Sequence, residues 1–260
     1  MDFLKLQDKN IVLMGVANRR SVAWAVAQVL KEVGANIIYL FRDEALIEKN
    51  RKLIGEDATA IVCDVEKEED MASLAGKVGA VVPVVHGLVH SIAFANFSEG
   101  LKPFHQTVKR DFLQAIDISC FSLVNVSNAL SPLLAPDAAI VTISISTTRM
   151  ASENYGYMGP IKAALDSTVV FLAKSLIQSV APRIRVNAVG PALLKTSSSA
   201  GIPGYIDAYL YAEKVIPRHE AVSTDEAAQA AVFLLSPRSS GISCRRWTSP
   251  ASRLSMSATG

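Results

Sequence analysis

The chain has 260 residues, 50% apolar and 19% charged, which is enough apolar surface for a sizeable core and excludes a disordered chain. Its 26 Lys and Arg nearly balance 24 Asp and Glu, for a formal net charge of +2, so charge gives no reason to expect nucleic acid as a partner. Cys63, Cys120 and Cys244 are odd in number and far apart, which argues against a disulfide framework and for a reducing compartment. Residues 1–10 lack the apolar run of a signal peptide, and no stretch approaches 18 uninterrupted apolar residues. The expectation is a cytoplasmic protein with no membrane partner.

Residues 10–14 read as a buried strand. Residues 21–33 have helical spacing at Val22, Val26, Val29 and Val33, with Ser21 as N-cap and Gly34 as the stop. Residues 36–41 predict a second strand, 44–54 a charged surface helix, and 58–63 a third strand followed by an acidic helix opening over 64–70. Residues 87–91 predict a fourth strand, 111–134 one long helix ending near Pro132, and 138–144 a fifth strand. A long helix over 155–179, a sixth strand over 183–189 and a final helix over 224–235, capped by Ser223 or Thr224, complete the pattern. Strand–helix alternation of this kind predicts an α/β fold: a single Rossmann-type doubly wound parallel sheet with helices on both faces, one domain over residues 1–242.

Two places carry chemistry. Gly15 follows the first strand and Ser21 opens the first helix, so the loop between them is either an ordinary strand–helix turn or a cradle for a pyrophosphate at the positive helix end. The Gly-x-Gly-x-x-Gly fingerprint is absent. At the end of the second strand, Arg42 could pair with the 2′-phosphate of NADPH, whereas Asp43 could accept from a 2′-hydroxyl; a solvated pair is the bland alternative. Asp64 could accept from an adenine amino group or cap the next helix. Tyr155 and Lys162 lie seven residues apart, nearly two helical turns, on one face about 10 Å apart along the axis. An ammonium near a phenol favours phenolate, and such a tyrosine can donate to a substrate oxygen. Pro160 fits a first helical turn, so Tyr155 precedes the regular helix. His86, His90, His105 and His219 lack metal-ligand spacing, so no metal site is expected, and His90 reads as a strand-end residue.

The chain resembles the enoyl-[acyl-carrier-protein] reductases of the short-chain dehydrogenase/reductase superfamily. The resemblance rests on residues 10–24, on Cys63-Asp64-Val65, on His90-Ser91-Ile92-Ala93-Phe94-Ala95, and on Asp117-Ile118-Ser119. It continues through Asn154-Tyr155, Met158-Gly159, Lys162-Ala163, Ile184-Arg185-Val186-Asn187-Ala188 and Ala200-Gly201-Ile202, in order. The six residues between Tyr155 and Lys162 separate this group from relatives with three. A wider gap suits an acid that must reach the C1 oxygen while hydride arrives at C3.

The resemblance implies NAD(P)H-dependent reduction of the trans-2,3 double bond of an enoyl thioester in fatty-acid synthesis, with NADPH favoured over NADH. Tyr155 would act on the enolate oxygen and Lys162 on the nicotinamide ribose. Gly15, Ser21 and Val22 would hold the pyrophosphate region, Arg42 the adenosine ribose, and Asp64 and Val65 the adenine. Ser91, Ile92, Ala93, Leu194 and Thr196 would line the rest of the cofactor. Ala95, Ile145, Tyr155, Met158 and Ile202 would face the substrate, which is linked to acyl carrier protein. Residues 197–213 would form a lid, and the family suggests a homotetramer. Rival readings are a related carbonyl or hydroxysteroid dehydrogenase and a dinucleotide-binding protein without turnover.

Three departures stand out. Ile145 replaces a tyrosine the family usually carries ten positions before Tyr155. Residues 190–196 read Gly-Pro-Ala-Leu-Leu-Lys-Thr, with the proline displaced. After Ile242 the expected Val-rich strand gives way to Ser-Cys-Arg-Arg-Trp-Thr-Ser-Pro and a Ser-rich tail. Residues 243–260 are therefore either the product of a reading-frame shift near residue 243 or a true divergent tail, with no strand alternation and the edge strand lost or improvised.

Overall fold

In the computed structural model the described residues are 2–100, 102–146, 148, 151, 155–196, 206, 209–210, 213–214, 216 and 218–248. The elements in order are β1(Asn10–Met14), α1(Val22–Glu32), β2(Asn36–Phe41), α2(Glu44–Ile54), β3(Ala60–Val62), α3(Glu68–Gly79), β4(Val85–His90), α4(Lys109–Ile116), α5(Ser122–Leu130), β5(Leu134–Ile143), α6(Met158–Ser179), β6(Arg185–Gly190), α7(Thr224–Leu235) and β7(Arg245–Thr248). The strands form one sheet of order β3-β2-β1-β4-β5-β6-β7, and every adjacent pair is parallel. Helices cover both faces, which makes this the doubly wound Rossmann-type sheet that the alternation predicts.

Strand side chains alternate between two cores. Val12, Met14, Ile38, Leu40, Leu88, Ile140 and Val186 pack with the apolar stripes of α3, α5 and α6. Ile11, Leu13, Tyr39, Phe41, Val89, Ala139 and Val141 pack with α1, α2 and α7. The caps read from the sequence are in place. Ser21 accepts from the Trp24 amide, and Ser223 forms a reciprocal capping box with Glu226.

The structure departs from the sequence reading in three segments. The single helix expected over 111–134 is α4 and α5 joined by a π turn at Asp117–Phe121, followed by a 3-10 turn at Ser131–Leu133 that carries Pro132. Strand β5 starts at Leu134, not Ala138, because its register against β4 jumps between Val85 and Gly87, and the irregularity accommodates Pro136. Residues 245–248 form a strand where none was expected. The Asn187 side chain explains it: its Nδ2 donates to the Ile242 carbonyl at 2.8 Å, and its Oδ1 accepts from the Arg245 amide at 3.2 Å. The Cys244 amide donates to the Val186 carbonyl at 2.9 Å, and β7 then pairs with β6 from Asn187–Arg245 to Gly190–Thr248.

A buried cation closes the lower end of the sheet. Arg185, 5% exposed, donates to the carbonyls of Leu234, Leu235, Ser236 and Ser239 and to the Ser239 hydroxyl, at 2.6–3.2 Å. These are orphan acceptors at and beyond the C-terminus of α7. Arg185→Met, which keeps the apolar stem, is expected to lower unfolding free energy by about 3 kcal/mol in urea titrations, with little change if the clasp is dispensable.

Candidate active site

The strand order reverses between β1 and β4, and the chain leaves both strands there at their C-terminal ends. Gly15 follows β1 with φ +100°. A Cβ on it would sit 1.9 Å from the Ser91 carbonyl oxygen, so only glycine lets the two departing loops pass. The loop from Gly15 to α1 is held by local bonds. The Ser21 hydroxyl donates to the Asn18 carbonyl at 2.7 Å, and the Asn18 side chain accepts from the Arg20 amide at 2.8 Å. In the first turn of α1 the Trp24 amide is taken by the Ser21 cap, while the amides of Val22 and Ala23, at the positive helix end, precede the first intrahelical bond. That donor set fits a pyrophosphate.

Farther along the same edge, Arg42 follows β2 and pairs with Asp43 at 3.0 Å. The other Asp43 oxygen caps α2 at the Leu46 amide, 2.8 Å away. The Arg42 guanidinium is 61% exposed. Asp64 follows β3; it accepts from the Glu66 amide at 3.1 Å but is not the N-cap of α3, which is Lys67. Val65 lies beside it, packed against the core.

Ser91, Ile92 and Ala93 leave β4 at His90, which is fully buried. His90 Nδ1 is 2.9 Å from the Thr142 hydroxyl and Nε2 is 2.8 Å from Ser122 Oγ. Ser122 donates its own proton to the Ile118 carbonyl. Thr142 has one proton for two acceptors, Nδ1 and the His90 carbonyl 3.1 Å away, and in the neutral ring Nε2–H donates to Ser122. Burial and the nearby Lys162 charge hold the ring's pKa down to about 3. The segment beyond is pinned by Ser119 of the π turn, whose hydroxyl accepts from the Phe94 amide at 2.9 Å.

Tyr155 lies in the turn before α6, as Pro160 in the first helical turn requires. Gly156 makes the turn with φ +52°. Gly159 borders the Tyr155 ring, and a Cβ there would make an ordinary contact of 4.0 Å with Tyr155 Cδ1. Met158 is buried, 6% exposed, and Lys162 is 3% exposed. The Lys162 ammonium donates to the carbonyl of Ile143 at 2.7 Å, where β5 ends. Burial pulls its pKa down to about 8, against the Asp166 and Cys120 charges, which favour the cation.

Ile145 lies just past β5, and Leu194 and Thr196 lie past β6, with the Thr196 amide on the Leu194 carbonyl at 3.0 Å. Tyr157 is buried; its hydroxyl donates to the Asn96 carbonyl beside Ala95, and its ring packs against Phe97 and Phe112. Ile202 and most of the 197–213 segment lie outside the described residues, as do 249–260. Within that segment Tyr209 is buried and carries the Lys195 ammonium 4.2 Å from its ring centroid.

Sequence reasoning missed His90 as a buried tether, Ser119, Asp166 and Arg246. Asp166 had a signal, since it stands four residues after Lys162 on one helix face. Arg246 had none.

The doubly wound parallel sheet, with buried Lys162 and half-buried Tyr155 past the C-terminal end of β5, fits a nucleotide-dependent reductase of the short-chain dehydrogenase type. The sequence pattern of the family described as "Enoyl-(Acyl carrier protein) reductase" matches residues 15–248. The chain is 35% identical to the enoyl-[acyl-carrier-protein] reductase [NADH] FabI of Enterococcus faecalis, over 91% of this chain and 94% of the relative. It is 33% identical to the [NADPH] FabI of Staphylococcus aureus NCTC 8325, over 92% and 94%. A Bacillus cereus enoyl-acyl carrier protein reductase, solved with NADP+ and indole naphthyridinone, superposes with TM-score 0.88 at 31% identity over 95% and 96% of the two chains. The Aquifex aeolicus enoyl-[acyl-carrier-protein] reductase (NADH) gives 0.87 at 29%, over 94% and 95%. The chain belongs to the enoyl-(acyl carrier protein) reductase family. No helix among the described residues is long and apolar enough to cross a membrane.

The His90 tether makes stability pH-dependent. Its folded pKa lies below the ordinary value of 6.5, so between pH 6.5 and about 3 the unfolded chain binds more protons, and stability falls as pH drops through that window. His90→Gln is expected to remove about 1.4 kcal/mol per pH unit from the slope of urea-unfolding free energy between pH 6 and about 4. An unchanged slope would mean that the ring already carries a proton in the folded state.

Proposed function

We propose that the protein reduces the C2–C3 double bond of an enoyl thioester carried on acyl carrier protein, with Tyr155 and Lys162 as its catalytic pair. The observation that carries this reading is a buried ammonium anchored at the end of β5, two turns beyond a tyrosine at the same edge, within a chain of this family. A reduced nicotinamide bound at this edge would supply the hydride for C3. Negative charge then develops on the C1 oxygen of the thioester, and the Tyr155 hydroxyl donates to it; a proton at C2 completes the saturated acyl chain. One N–H of Lys162 is spent on the Ile143 carbonyl. Two remain for a ribose hydroxyl, and the positive charge favours an electron-rich phenol.

Gly15, Ser21 and Val22 accept the pyrophosphate region in this reading. Asp64 and Val65 flank the adenine, and Ser91, Ile92, Ala93, Leu194 and Thr196 line the middle and the nicotinamide end. Both Asp43 oxygens are engaged, one on Arg42 and one on the α2 cap, while the Arg42 head is exposed. That division supports NADPH over NADH, with Arg42 on the 2′-phosphate. Ala95, Ile145 and Met158 face the acyl chain, with Ile202 contributing from the lid over 197–213. Leu113, Phe121, Val170 and Phe171 are large, apolar and exposed on α4, the π turn and α6, which supports a homo-oligomer, a tetramer in the family. The reductase domain covers 1–242, with β7 as an added edge and the remaining tail outside it. A cytoplasmic setting suits this substrate.

Loss of absorbance at 340 nm with a crotonyl thioester tests the reading. Turnover is expected with NADPH in preference to NADH, and Tyr155→Phe is expected to lower kcat by about a hundredfold or more. Turnover of a ketosteroid in place of the enoyl substrate would move the protein to the carbonyl reductases. The charged form of Lys162 is the active one, so kcat/KM is expected to fall as pH rises through about 8, and Lys162→Met to abolish both activity and that limb.

A further inference from the structure

Strand β7 contributes one side chain that reaches back across β6 into the catalytic edge. Arg246 lies opposite Ala188 in the β6–β7 register. Its Nη1 lies 2.9 Å from Asp166 Oδ2 and donates to the Ile145 carbonyl at 3.0 Å and to the Thr148 hydroxyl at 2.6 Å. Asp166 Oδ1 accepts from the Ser144 hydroxyl at 2.6 Å. The crossing is possible because residue 190 is glycine. A Cβ there would lie 3.0 Å from the Ile145 oxygen and 3.3 Å from Arg246 Cδ. Both partners are largely shielded, at 25% and 18% side-chain exposure, so the pair is not an ordinary surface bridge.

We propose that Arg246 is a positioning residue of the active site: with Asp166 it clamps the chain leaving β5, from Ser144 to Thr148, and thereby fixes the adjacent Ile143 carbonyl on which the Lys162 ammonium rests. The inference rests on the reading of Lys162 as the cofactor-ribose ligand. Three groups on one short stretch, Ser144 Oγ, Ile145 O and Thr148 Oγ1, are tied to one ion pair that spans α6 and β7. Backbone bonds from the Ser144 amide to the Val189 carbonyl at 2.7 Å and from the Ser146 amide to the Pro191 carbonyl at 3.0 Å hold the same stretch from the β6 side, and the ion pair adds the anchors on Ser144 Oγ, the Ile145 carbonyl and Thr148 Oγ1. A displacement of about 1 Å at such a site is enough to matter for a bound reactant.

The charges also set the sign of an observable. Lys162 is faced by Asp166 from its own helix, Cys120 from the π turn and His90 from β4. Arg246 reaches the group from β7 through Asp166. Removing Arg246 takes away a cation and leaves the Asp166 carboxylate unshared, which favours charged Lys162. Removing the Asp166 charge does the reverse and leaves Arg246 unpaired.

The test is calorimetric titration of the full chain with NADPH and with NADH from pH 6.5 to 10, on wild type, R246M, R246K and D166N. At pH 7, R246M is expected to weaken cofactor binding about tenfold and R246K to recover most of the loss. The alkaline fall-off in affinity is expected to move to higher pH in R246M and to lower pH in D166N. Wild-type affinity and fall-off in R246M, or shifts of the same sign in R246M and D166N, overturn the proposal. If R246M shows no cooperative thermal transition, T148V removes one of its acceptors from the opposite side; unaltered cofactor affinity in T148V together with an unaltered fall-off in D166N is then the overturning result. Binding is read without turnover. The expected shifts in a protein that does not reduce crotonyl thioester would sink the enoyl-reductase reading and leave this one standing, whereas failure of wild type to bind either cofactor sinks both.

Discussion

A buried ammonium ion governs the C-terminal edge of the sheet in this molecule. Lys162 sits within the apolar stripe of α6, between Met158, Ile161 and Leu165, where the packing asks for a hydrocarbon. A charge in such a place is tolerable only with acceptors close by. The Ile143 carbonyl supplies one, and it is free to do so because β5 ends there. The rest of the edge follows from satisfying that cation. The end of β5 must meet α6 one turn before Asp166, and the π turn brings Cys120 against Thr168 on the same helix at 3.4 Å. The same low-dielectric setting draws the lysine pKa down to about 8, so the cost of burial and the shifted titration have one cause.

The second constraint is steric. Two loops diverge at the reversal point of the sheet, and the first of them touches the Ser91 backbone through Gly15. Below it, His90 ties β4 to β5 through Thr142 and to α5 through Ser122, so the loop that begins at Ser91 starts from a fixed base. Ser119 fixes the same loop farther on. Its backbone is thus held from the α5 face of the sheet without a covalent link.

Much of this was legible in the sequence because it rests on local signals. Ile- and Val-rich runs marked the strands, Ser21 and Ser223 marked helix starts, and Pro160 placed Tyr155 ahead of α6. The Tyr155–Lys162 spacing and the ordered motifs carried the family. What was illegible depends on contacts distant along the chain. No periodicity signals that one extra residue is wound into a turn at 117–121, since the apolar positions on either side still read as helix. The early start of β5 is hidden by Pro136, which the sheet tolerates at an irregular register. The Arg246–Asp166 pair joins elements whose proximity exists only after the sheet has closed.

Strand β7 shows how little a sheet margin demands of side chains. Its residues alternate exposed and half-buried, and it buries no large apolar group. Its place is specified by peptide groups of β6 and by the Asn187 carboxamide, which grips the chain on entry. Recognition at this margin is therefore written in the backbone, which every sequence shares. A family fold can in this way exchange the wording of its terminal strand wholesale and keep the seam closed, and the exchanged residues are then available for new side-chain contacts across it.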